Sequence, residues 1–178
     1  MLSRRPAVVL QAGGGAVSWW RSKDRGTVVF EVIGTPVAKA RPRVVRTKTG
    51  VRTYTPGKTA AWESRVRGEA VKAMRGQEPM EGPVKLVVGV IFEPPASWSA
   101  WQRGAAMEGR VAHTGKPDLD NIVKAVKDAM NGVVWGDDSQ VIGVSAWKEY
   151  GSEAKVGIMV VPIDGVAPSN VSRKCDLA

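Results

Sequence analysis

The stretch Lys116-Pro117-Asp118-Leu119-Asp120-Asn121, running into Ile122 to Met130 and then the turn Gly136-Asp137-Asp138-Ser139-Gln140, decides how the rest of the chain is read. Ile122, Val123, Ala125, Val126, Ala129 and Met130 recur at helical spacing, which predicts an amphipathic helix over 122–130. Pro117 fixes its own φ, lacks a donor and biases Lys116 away from helix, so the helix is expected to start after it, with Asp120 as N-cap and Asn121 in the first turn. Asp118 and Asp120 point to one side if the backbone between them is extended. Lys124 follows one turn beyond Asp120, on the same side.

A further carboxylate pair, Asp137 and Asp138, lies in the turn after the helix. Together these are hard oxygen donors, and they suggest a Mg²⁺ or Mn²⁺ site. Anions at a helix mouth are favoured by the free N–H groups and the macrodipole, and Lys124 could neutralise charge developing on a phosphate held there. Each piece alone is ordinary, since Asp caps helices and Gly-Asp-Asp-Ser makes turns. Their joint occurrence is what points to chemistry.

Composition narrows the partners. The 178 residues carry a formal net charge of +9, which argues for a polyanion, either nucleic acid or an acidic membrane face. No stretch approaches the apolar length needed to cross a bilayer. The single Cys175 rules out an intramolecular disulfide and a cysteine-based zinc site, as in a reducing cytoplasm, and the single His113 rules out a histidine-rich metal centre. His113 precedes the acidic motif and is a candidate general base or phosphate ligand, although a lone loop histidine is more often incidental.

Along the chain, residues 1–26 are Gly-rich and basic and are expected to be a disordered leader. Their apolar run is broken by Gln11 and three glycines, unlike a signal peptide. Val28 to Ile33 reads as a largely covered strand. From Thr35 to Lys58 there are Lys39, Arg41, Arg43, Arg46, Lys48, Arg52 and Lys58 and no acid; extended to Arg75, this segment carries the chain's whole positive excess. DNA-backbone contact is the expectation, with Lys39, Arg41, Arg43 and Arg46 foremost and Lys124 joining from the motif. Val44–Arg46 and Arg52–Tyr54 read as a hairpin about Lys48-Thr49-Gly50-Val51. A helix follows from Pro56, with Trp62, Val66, Ala70 and Ala73 as its apolar stripe and Gly76 as its end.

Val84 to Phe92 is apolar on both faces and is expected at the centre of the sheet. Ser97 to Glu108 reads as a short helix that puts Trp98 and Trp101 in the core. Val141–Glu149 and Lys155–Val161 read as a terminal antiparallel hairpin turning at Tyr150 to Glu153. Residues 162–178 read as a loose tail. The expectation is one domain over 27–161 of the α/β (α+β) class, with a mixed β-sheet and two main helices.

The run PDLDNIVKAVKDAMNGVVWGDDSQV resembles the signature of the RusA family of Holliday junction resolvases, encoded largely by phages and prophages. The resemblance extends upstream to GTPVAKARPRVVRTKTGVRTYTPGKTAAWE and covers about residues 27–161. It implies a RusA-like fold and a crossover junction endodeoxyribonuclease in which three aspartates bind a divalent metal and a helix lysine assists. Matched by motif, these are Asp118, Asp120, Asp138 and Lys124, with Asn121 also in the pattern; the metal would be Mg²⁺, with Mn²⁺ as substitute. Members can carry a basic residue directly before the first aspartate, where this chain has Pro117, which makes Lys116 the candidate for that contact. The resemblance further implies a homodimer that makes paired symmetric nicks in branched DNA, the four-way junction, during recombination and repair in a bacterial or phage-infected cytoplasm. Two rivals remain: a non-catalytic basic DNA-binding protein with structural aspartates, and a nuclease on branched phage DNA without strict junction specificity.

Overall fold

A strand that is apolar on both faces must be paired along both edges, and Val84–Phe92 is. The computed structural model describes residues 26–39, 43–47, 50–54 and 57–163. The leader before Gly26, the tail after Ile163, Arg41, Lys48, Thr49 and Pro56 lie outside the described residues. In chain order the elements are β1 (Val28–Ile33), β2 (Arg43–Thr47), β3 (Gly50–Tyr54), α1 (Gly57–Met74), β4 (Val84–Phe92), α2 (Ala100–Met107), α3 (Leu119–Met130), β5 (Val141–Tyr150) and β6 (Lys155–Pro162). The main sheet has the order β1-β6-β4-β5, with β4 antiparallel to β6 and parallel to β5; β2 and β3 form a separate antiparallel hairpin. This is a single α+β domain with a mixed sheet.

The core lies between one face of that sheet and two helices. Val28, Phe30 and Val32 of β1, alternate residues Val84 to Phe92 of β4, and Val156, Ile158 and Val160 of β6 point to that side. Against them α1 buries Trp62, Val66, Ala70 and Met74, each four residues after the last, and α3 buries Ile122, Ala125, Val126, Ala129 and Met130. Each of the valine, isoleucine and methionine side chains among them contributes roughly 1.5–3 kcal/mol by leaving water. α1 also holds the end of α3: Arg67 donates to the Asn131 carbonyl at 3.1 Å, satisfying a group the helix leaves without a partner.

Three expectations need correction. β5 and β6 are not a hairpin; β4 lies between them, because a strand apolar on both faces competes for two partners more strongly than a short turn enforces local pairing. The helix starts at Leu119, with Asp118 rather than Asp120 as N-cap. Its backbone at Asp118 is extended, φ −69° and ψ 138°, so Pro117 excludes only itself from the helix and the next residue already opens it. Trp101 is not in the core but is 73 % exposed on α2; Trp98 packs on Tyr150 with ring centroids 5.3 Å apart.

A parallel β4–β5 pair needs a long crossover, and α2, α3 and the acidic motif all lie on it. The motif therefore has one half at the start of α3 and the other immediately before β5. The fold brings them alongside one another.

Candidate active site

Asp118 ends the irregular segment that leads into α3. Its carbonyl accepts from the Ile122 N–H at 3.2 Å, but its carboxylate makes no capping hydrogen bond. Asp120 sits in the first turn, exposed, with the Asn121 side-chain amide 3.5 Å from its carboxylate. One and two turns on, Lys124, Lys127 and Asp128 follow on the same flank.

The other half of the motif is held by its own hydrogen bonds. Asp137 accepts from the Ser139 N–H at 2.9 Å and caps the 3₁₀ turn Asp138–Gln140. Hydrogen bonds from Ser139 keep the Asp137 carboxyl below the usual carboxylate range, with the charge of Lys127 adding to the effect. Gln140 closes the turn: its oxygen accepts from the Gly136 and Asp137 N–H groups at 2.8 and 3.0 Å. Its amide donates to the carbonyls of Met80 and Gly82 at 2.9 and 2.8 Å. The turn is thus fastened to the segment before β4. Asp137 is occupied as a cap, which leaves Asp138 to face α3.

The two halves meet across a groove of about 750 Å³ lined by Asp120, Lys124, Lys127, Asp128 and Asp138, with Leu119, Val123, Val144 and Ala146 as its apolar wall. Lys127 Nζ lies 3.4 Å from the Asp138 carboxylate. Along α3 the Lys127 backbone stands roughly 10 Å from Asp120, but helix side chains lean toward the N-terminus and carry the ammonium back along the groove. Asp118 does not line it. Among the described residues no three acidic, histidine or cysteine side chains are gathered closely enough to hold a metal ion. In kind, the donors suit a hard divalent cation: they are all carboxylates, and Asp118 is not consumed as a cap.

The remaining candidates fall outside the groove. Lys39 lies on the far side of Asp128: its ammonium reaches Glu63 at 2.6 Å and Asp128 at 2.9 Å, and its N–H donates to the Asn121 carbonyl at 2.9 Å. Burial lowers its pKa, but the hydrogen bonds and charges of Glu63 and Asp128 outweigh this and hold it above the ordinary lysine value. Lys116 is exposed beside the motif. Arg43 and Arg46 lie on β2, and Arg41 is outside the described residues. His113 is stacked on Phe92 with centroids 4.1 Å apart and tilted against Tyr150 at 4.9 Å, which makes it part of an aromatic cluster.

Four residues were not singled out by sequence reasoning. Lys127 and Asp128 continue the helical spacing from Asp120 and could have been found that way. Gln140 stands three residues after Asp137, the capping-box spacing. Lys148 has no local sequence signal; its partners, the Gly115 and Pro117 carbonyls, are set by the sheet alone.

The groove sets carboxylates beside lysines on a strongly basic α+β domain, and the class of protein is given by the family match. The match to the endodeoxyribonuclease RusA family model spans residues 34–161, and the chain belongs to that family. It is also 36% identical over 135 residues to YqaN of Bacillus subtilis (strain 168), described as an uncharacterized protein, covering 75% of this chain and 94% of that one. No helix among the described residues is long and apolar enough to cross a membrane.

Proposed function

We propose that this protein is a metal-dependent endodeoxyribonuclease that resolves four-way DNA junctions by paired nicks. The observation that carries the reading is that Asp120, Lys124 and Asp138 line one groove, within the span that matches the RusA endodeoxyribonucleases. Asp118, Asp120 and Asp138 would hold Mg²⁺, for which Mn²⁺ should substitute. The ion would polarise the scissile phosphate and lower the pKa of an attacking water. Lys124 donates to a non-bridging phosphate oxygen and neutralises charge as it develops.

Arg41, Arg43, Arg46, Lys116 and Asn121 contact the DNA backbone, while Lys39 joins the basic segment to α3 at its Asn121 and Asp128 contacts. A two-fold substrate calls for two sites, hence a homodimer. The compartment is the cytoplasm of a bacterial or phage-infected cell.

The test is nicking of a labelled four-way junction, a Y-fork and a linear duplex in Mg²⁺, wild type beside Asp120→Asn, with both proteins gel-shifted in Ca²⁺. Paired symmetric cuts by wild type, and binding without cutting by the variant, support a resolvase. Equal cutting of fork and junction points to a less specific branched-DNA nuclease. Binding by both proteins with no cut on any substrate leaves a DNA-binding module with structural aspartates.

A further inference from the structure

We propose that Lys148 is a positioning residue that aims Asp118 by clamping the backbone that leads into it. This rests on the nuclease reading above. Lys148 projects from β5 on the side of the sheet that carries Val144 and Ala146, at the level of Val90 on β4. Its ammonium donates to the Gly115 carbonyl at 2.6 Å and to the Pro117 carbonyl at 3.1 Å. A lysine turned toward a protein core is unfavourable unless its charge finds acceptors, and carbonyls in an irregular segment need donors. Each group meets the other's need, and charge-assisted bonds of this kind are the stronger ones.

The consequence lies in peptide geometry. The Pro117 carbonyl and the Asp118 nitrogen belong to one planar unit, so holding that oxygen fixes the plane from which the Asp118 side chain departs. Asp118 makes no capping bond of its own, and so its direction depends on its backbone. Lys148 supplies the restraint from β5, the edge strand paired to β4, while Gln140 does the equivalent for the turn that carries Asp138. Each end of the motif is thus fastened by one long side chain that bonds main-chain groups.

The test compares full-length wild type, Lys148→Met and Lys148→Arg. Hydrogen exchange of the segment 113–121 needs neither metal nor DNA. In Lys148→Met it should rise about tenfold with the melting temperature little changed, as expected for a local restraint. Mn²⁺ affinity, read by paramagnetic resonance, should fall by about 10-fold or more, the usual effect of losing a group that orients a ligand. Lys148→Arg, which keeps charge and donors, should restore most of both.

Unchanged exchange overturns the clamp. Faster exchange with unchanged Mn²⁺ affinity overturns its role in aiming Asp118. A fall of about one in the salt slope of junction binding in Ca²⁺, with exchange unchanged, would make Lys148 a phosphate contact instead. Wild type that takes up no Mn²⁺ overturns the nuclease reading and the aiming role together, and the exchange result still decides whether the clamp exists.

Discussion

Lys127 Nζ and the Asp138 carboxylate stand 3.4 Å apart, and this pair joins the end of α3 to the turn before β5. The groove therefore contains its own counter-cation beside a proposed metal ligand. An ammonium there and a divalent ion compete for the same oxygens. Lys127→Met should tighten Mn²⁺ uptake by about fivefold, since a unit-charge pair at such a distance in solvent is worth about 1 kcal/mol. Weaker uptake in the variant would mean that Lys127 orients Asp138 rather than competing for it.

Gln140 should matter more to stability than its partly exposed position suggests. Its side chain satisfies four main-chain groups, those of Gly136, Asp137, Met80 and Gly82. Gln140→Ala leaves all of them without this partner and is expected to cost about 2 kcal/mol in urea unfolding. Gln140→Glu sets a carboxylate against the Met80 and Gly82 carbonyls and should be no milder. A change within about 0.5 kcal/mol, the range of ordinary surface substitutions, would show that water replaces these bonds freely.

Much of this arrangement is legible in the chain itself. The two-faced apolar run Val84–Phe92 predicts an internal strand, and β4 is one. The hairpin of β2 and β3, the amphipathic α1 and α3, and the family of the acidic motif also follow from local pattern. Pairing between β5 and β6 is misread because hairpin logic uses only the distance along the chain, whereas β4 competes for both strands from elsewhere. Within the basic segment, counting cations overstates what is open to DNA: Lys39, Arg65 and Arg67 are engaged with Glu63 and Asp128, the Ile33 carbonyl and the Asn131 carbonyl. No local pattern distinguishes these from the others, because their partners arrive by tertiary packing.

Lys39 ties α1 to α3 through Glu63 and Asp128. Lys39→Met should destabilise the protein near neutral pH by about 1 kcal/mol, the upper range for a partly solvated pair. Because the folded-state pKa is raised above 10.5, this stabilisation is fully present below that value and is lost as pH rises past it. The difference between wild type and variant should therefore close at strongly alkaline pH. A gap in urea midpoint that is the same at about pH 7 and about pH 11 would assign the effect to packing of the lysine stem.

His113 gives the opposite pH dependence. Burial among Phe92 and Tyr150 lowers its pKa below 6.5; a backbone hydrogen bond partly opposes this, and the charge of Lys148 adds to it. The folded protein thus keeps a neutral imidazole where the unfolded chain would take up a proton. Stability from this residue is present above about pH 6.5 and declines as the pH falls through that value, by at most about 1.4 kcal/mol per pH unit, the limit for one proton. His113→Phe retains a ring between Phe92 and Tyr150 and removes the proton. From about pH 7.5 to about pH 5, wild type should lose stability faster than the variant in parallel urea titrations, with the two closest at the alkaline end. Parallel losses would mean that His113 titrates alike in the folded and unfolded chains, and the acid sensitivity would then belong to the carboxylates.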